Sequence, residues 1–186
     1  MAARKLTDRQ LYKLKNAMLQ ERFSQVTPAE FYRDMFPEGY LGVQGAPEVR
    51  RPNMIFTMIE KDTQGKPRAF NRLVFDDLQG LALTTGAEFA VASPVTYRGR
   101  QRTAANAHHL WGFCIDLDGV KIEQLRDLLF QIQNDTLPAP TYLVNSGHGL
   151  HIYYLLEDPI PLHRHLHQPL ADLKYGLTKI VWNRYT

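Results

Sequence analysis

The chain has 186 residues, 44% of them hydrophobic, which suits one packed domain or one core with an appended layer. Its formal net charge of +3 at pH 7 permits an anionic partner but is too mild to specify nucleic acid. Cys114 is the single cysteine, which excludes an intrachain disulfide and a multi-cysteine zinc cluster. No run reaches the ~18 apolar residues of a membrane helix, and the start MAARKLTDRQ lacks the apolar centre of a signal peptide. A cytoplasmic protein with no membrane partner is expected.

In chain order, Thr7 and Gln10 have capping-box spacing, and Leu11, Leu14 and Met18 recur on one helical face as far as Phe23. The first 26 residues are therefore assigned to an N-terminal helix. A second start follows, with Thr27 as cap, Pro28 in the first turn and Glu30 three residues after the cap, ahead of Phe31, Met35 and Phe36. Residues 40–53 read as a loop rich in Gly, Pro and charge. MIFTMIE and RLVF read as strands around KDTQGKP, Asp76 to Thr85 as a short helix, and EFAVASPVTY as one further strand. That strand runs into RGRQRTAANAHH, where Arg98, Arg100 and Arg102 cluster with no acid nearby.

LWGFCIDLDG is the next strand. Its period of two sets Trp111, Phe113, Ile115 and Leu117 on one face and Gly112, Cys114, Asp116 and Asp118 on the other. One face suits a core and the other is a carboxylate platform. Ile122, Leu125, Leu129 and Ile132 then mark an amphipathic helix, which Pro138 and Pro140 stop. TYLV, the turn NSGHG and LHIYYLL follow as a hairpin. The order is strand, helix, strand, strand. From Leu162 to Trp182 a last helix is expected, with Leu166, Leu170, Leu173 and Leu177 on one side; Lys174, Lys179 and Arg184 read as its solvent face. The fold class is α+β.

In LHIYYLL the fuller apolar set, Leu150, Ile152, Tyr154 and Leu156, faces the helices. His151 and Tyr153 then point to the open face, the side of Asp116 and Asp118, if both strands share a sheet. Paired carboxylates suit hard divalent cations such as Mg²⁺ or Mn²⁺, which leave coordination positions open to phosphate oxygens. Gly147 and Gly149 allow positive φ and close backbone approach, so the turn Ser146-Gly147-His148-Gly149 can aim N–H groups at an anion. Taken singly, Asp118-Gly119 and SGHG are ordinary turn signals. Their convergence with His151 on one face is more specific.

FCIDLD followed by SGHGLHIYY resembles the first two motifs of the archaeo-eukaryotic primase superfamily, an Asp-x-Asp strand end and a Ser-Gly turn closing on a histidine. SPVTYRGRQRTAANA and LTKIVWNRYT are similar to segments of primase-polymerases of phages, plasmids and integrative elements, and the likeness extends over most of residues 27–186. The resemblance implies a catalytic domain over that range. Its fold would be an RRM-like palm around residues 110–156, with an N-terminal α/β layer and a C-terminal helix. In it, Asp116 and Asp118 hold two metal ions, Mg²⁺ or Mn²⁺, and His151 contacts the phosphates of an incoming NTP or dNTP beside Ser146, Gly147, His148 and Gly149. Arg100 and Arg102 are candidate triphosphate contacts, and Arg98, Arg100, Arg102 and Tyr97 candidate contacts to a single-stranded DNA template, Tyr97 by stacking. A helicase or other replication protein is an implied partner. The family pattern also has a third acidic residue closing a later strand. Asp172 falls in the expected last helix and Asp158 before a proline in a turn, so these residues are expected to be the N-terminal part of a longer polymerase.

Two other readings compete. His165-Leu166-His167 is a histidine, hydrophobic, histidine triplet of the kind used by rolling-circle nickases, with Tyr175 as nucleophile, but it sits at an expected helix start rather than on a strand. A non-catalytic nucleic-acid module would use exposed stacking rings, which the Asp116 face of its strand lacks.

Overall fold

The structure, a computed structural model, describes residues 6–45, 52–85, 87 and 89–182. It is mixed α+β, with two antiparallel sheets and four α-helices among the described residues. Two compact units divide the chain: Met1–Gln25, Phe113–Leu155 and His165–Thr186 form one, Val26–Gly112 and Leu156–Arg164 the other.

In the second of these units, helix α2 (Pro28–Met35) begins as the sequence indicates. Glu30 N–H donates to Thr27 Oγ1 at 3.2 Å, and Thr27 N–H donates back to Glu30 Oε2 at 2.7 Å. Phe31 and Met35, four apart, are buried. Strands β1 (Met54–Lys61) and β2 (Pro67–Val74) form an antiparallel hairpin in register from Met54↔Val74 to Lys61↔Pro67. The Asp62 carboxylate accepts the N–H groups of Gln64 and Lys66, each at 2.9 Å, which closes the turn. The helix expected over 76–85 is a 3₁₀ segment, Gln79–Thr84.

The strand expected over EFAVASPVTY is two. β3 (Ala90–Val91) pairs with β1, whereas β4 (Val95–Tyr97) pairs with β5 (Ala107–Leu117) in the other sheet. Pro94 lies between them, and a residue without an N–H cannot continue a ladder. Its carbonyl instead accepts Trp111 N–H at 2.8 Å. Of the loop expected over 40–53, residues 46–51 lie outside the described residues.

In the first unit, β5 ends, α3 (Ile122–Gln133) follows, and β6 (Tyr142–Val144) pairs with β7 (Leu150–Pro161) in the register Tyr142↔Tyr153, Leu143↔Ile152 and Val144↔His151. The four-stranded order is β4-β5-β7-β6. Strand, helix, strand, strand is the order read from the sequence. Its core joins Ile115 and Leu117 of β5, Leu125, Leu128 and Leu129 of α3, and Leu150 and Ile152 of β7. Asp158, expected in a turn, lies within β7. β6 covers only His151–Tyr153, so β7 can carry Pro159 where that partner has ended.

Both flanking helices keep only part of their expected faces: Met18 and Leu177 pack against the core. In α1 (Asp8–Gln20) Leu14 is 45% exposed, and Lys15 and Leu19 are the buried positions. In α4 (His167–Val181) Leu173 is 57% exposed, and Val181 enters the core in place of a continuous leucine stripe. Arg184 lies outside the described residues. Replacing Leu125, fully buried, by Ala should cost about 3 kcal/mol in urea unfolding, and Leu173→Ala less than about 0.5 kcal/mol.

Candidate functional site

The platform at the end of β5 is built by the pleat. Ile115 and Leu117 are 1% and 5% exposed, and Asp116 between them faces outward with 62% of its side chain accessible. Asp118 is exposed in the turn just beyond the strand, followed by Gly119 at φ +68°. On β7, Leu150 and Ile152 are buried, which turns His151 to the other side. Its Nε2 stands 3.2 Å from Asp116 Oδ1, an ion pair whenever the imidazole carries both protons. Alternation sets both on one side, and the adjacency of β5 and β7 brings together two residues 35 positions apart.

The same face holds further groups. The Tyr153 ring lies 6.5 Å from that of His151, so the open face does carry an aromatic, supplied by the neighbouring strand. Burial raises the pKa of the Cys114 thiol; a hydrogen bond with Tyr153 and the charge of Lys174 oppose that rise, and Asp116 adds to it. Lys174 on α4 is thus close enough for its charge to be felt on the platform, although the sequence assigns it to a solvent face. Asp172, on the same helix, accepts a hydrogen bond from Gln168 Nε2 at 2.8 Å.

Two carboxylates at a strand end are a fitting oxygen donor set for one hard divalent cation. Among the described residues, no three His, Cys, Asp or Glu side chains gather in an arrangement able to hold a metal ion. Asp116 and Asp118 are therefore the residues that would hold such an ion, in part.

The turn between β6 and β7 is fastened to α1. Asn145 Nδ2 donates to Tyr12 O at 3.0 Å and to Asn16 Oδ1 at 2.7 Å. Its Oδ1 accepts Gly147 N–H at 3.2 Å, so that amide is used within the turn. Gly147 has φ +97°, a backbone that only glycine adopts readily. Gly149 is required for a different reason: a Cβ there would lie 2.5 Å from the Leu117 carbonyl oxygen. Lys15, fully buried, donates from Nζ to Gly149 O at 2.9 Å. His148 Nε2 lies 3.6 Å from Asp8 Oδ2, but both side chains are more than 70% exposed and the pair adds little.

The basic loop belongs to the other unit, and its members do different things. Tyr97 is 8% exposed with its hydroxyl 2.8 Å from Ser93 Oγ, so the ring is packed inside rather than offered for stacking. Arg102 donates from Nη1 to Thr57 Oγ1 at 3.1 Å and to Val91 O at 2.9 Å, tying the loop to β1 and β3. Both side chains thus have partners within the fold. Arg100 is exposed and lines a cavity of about 470 Å³ with Gln44, Asn71, Arg72 and Phe75. Arg98 is exposed beside a histidine pair. A register shift between Thr96 and Tyr97 allows both His108 and His109 to face one way, with ring centroids 4.1 Å apart and Nδ1 atoms 2.6 Å apart. Burial, followed by the charges of His109, Arg98 and His163, lowers the His108 pKa from 6.5 to about 4.

The nickase-like triplet is not on a strand. His165 lies in a 3₁₀ turn, Arg164–Leu166, and His167 opens α4. Tyr175 is 62% exposed, with Lys179 Nζ 4.4 Å from its ring centroid.

No protein family, curated protein or solved structure matches the chain.

Two outcomes follow from this geometry. Gly149→Ala should cost about 1–3 kcal/mol in thermal or urea unfolding, because the new methyl meets backbone rather than a movable side chain. Because His108 binds its proton more weakly folded than unfolded, its stabilising share is complete above pH 6.5 and is lost as pH falls toward 4. Urea unfolding at a series of pH values should show that decline, and His108→Gln should flatten it.

Proposed function

We propose that this chain carries a primase-polymerase site for metal-dependent nucleotidyl transfer, taking an NTP or dNTP and a single-stranded DNA template. The observation that supports it most is the 3.2 Å approach of His151 to Asp116 on the open side of the sheet. The turn Ser146–Gly149 stands at the start of the strand that carries His151. The reaction itself comes from the resemblance of FCIDLD and SGHGLH to the primase motifs.

Asp116 and Asp118 offer carboxylate oxygens to a divalent cation, which when bound supplies charge neutralisation at a triphosphate. His151 fixes the Asp116 carboxylate from the adjacent strand and is a donor toward phosphate oxygens. The turn amides left free by Asn145 serve the same anion. Arg98 and Arg100, both exposed, are the members of the basic loop suited to a nucleic-acid backbone. A nucleoside triphosphate, a single-stranded template and a replication helicase are the proposed partners, in a cytoplasmic setting.

The test is template-dependent incorporation of labelled dNTPs with Mn²⁺, together with metal-dependent nucleotide binding. Asp116→Asn should lower both by about 100-fold and His151→Ala by at least about 10-fold, with folding intact. Product formed equally well by both variants contradicts the assignment. Site-specific nicking that is lost in His165→Ala would establish the nickase chemistry instead.

A further inference from the structure

An ammonium group inside a protein ordinarily has an acidic partner, because burying an isolated charge is far costlier than burying a neutral polar group. Lys15 departs from this rule. It is fully buried on α1, its one hydrogen bond is to the neutral Gly149 carbonyl at 2.9 Å, and it forms no ion pair among the described residues. Burial accordingly lowers its pKa.

The surroundings show which way the charge is directed. Asp8, Tyr12, Lys15 and Asn16 stand at i, i+4, i+7 and i+8, one face of the helix. Each meets the turn: Asp8 lies beside His148, the Tyr12 carbonyl and Asn16 side chain accept from Asn145, and Lys15 holds Gly149. The polar contacts to the turn come from this face, beside Leu19 and Met18, which pack against the core. On its other side Gly149 is pressed against the Leu117 carbonyl, one residue from Asp116 and Asp118. The Lys15 amine is therefore held under the turn with no acidic partner among the described residues.

We infer that α1 is part of the phosphate site: Lys15 positions the Ser146–Gly149 turn, and the anion bound there is the missing counter-charge of its ammonium. The inference rests on the reading of that turn as a phosphate site. Lys15 does not touch the ligand. It acts through the Gly149 peptide and through its field, which is strong over short distances where water is excluded.

Lys15→Met separates this role from a merely structural one, since it keeps the length and apolar stem while removing the charge. A residue that only braces the fold would lower stability when replaced. An uncompensated buried charge should instead leave the melting temperature unchanged or raised when replaced by an apolar side chain. Calorimetric titration with inorganic tripolyphosphate should show binding weakened about tenfold or more in Lys15→Met. Unchanged tripolyphosphate affinity in a folded Lys15→Met overturns the inference. If that variant does not fold, the wild-type chain decides: the Lys15 side-chain ¹⁵N resonance should move saturably with tripolyphosphate, and a fixed resonance at saturation overturns it. Wild-type protein that binds no tripolyphosphate removes the parent reading as well. Synthesis that depends on Asp116 together with unchanged binding in Lys15→Met removes only the role of Lys15.

Discussion

The candidate site depends on one constraint, the pleat of two neighbouring strands whose alternate residues have no choice of side. Ile115 and Leu117 on β5 and Leu150 and Ile152 on β7 are all at or below 5% exposure. Burying each contributes about 1.5–3 kcal/mol. A slip of one residue in either strand would expose two of them and drive Asp116 or His151 into the apolar core. The packing that holds the sheet to α3 is therefore the same packing that presents a carboxylate and an imidazole together on the open side. No specific contact between those two is needed to bring them there.

The turn between β6 and β7 is subject to a second constraint, closeness. Gly149 is pressed so tightly on the Leu117 carbonyl that a methyl group does not fit. The gap on its other side is filled by α1 rather than by solvent. A helix that reads as a peripheral N-terminal element is thereby fixed to the turn by a buried lysine and an asparagine. Beside Leu19, which enters the core, that face sets Lys15 and Asn16 against the turn where a simple amphipathic reading looks for leucines.

Much of this architecture was legible in the sequence because it rests on local periodicity. The α2 cap, the β1–β2 hairpin, the apolar face of β5 and the α3 helix each follow from spacing, and so does the shared side of Asp116 and His151. What escaped were properties set by distant partners. Nothing around Lys15 announces that it will be buried against a residue 134 positions away. Tyr97 and Arg102 look like free binding groups in a basic loop, yet one is packed and the other is hydrogen-bonded to Thr57 and Val91, contacts that only the folded sheets create. Pro94 divides an apparently continuous strand between two sheets, and a proline that ends one ladder does not announce where the next begins. Asp118 falls just beyond the strand because β5 stops at Leu117, and strand ends are the least certain feature of a periodic pattern.

In the proposed function, Asp116, His151 and the Ser146–Gly149 turn form one site for a metal-bound triphosphate. Paramagnetic broadening in NMR spectra of the whole chain, titrated with Mn²⁺ and dATP, tests it most directly. Selective loss of the resonances of Asp116, Asp118, His151 and residues 146–149 is expected. Broadening centred elsewhere in the chain, or none at saturating Mn²⁺-dATP, would contradict it.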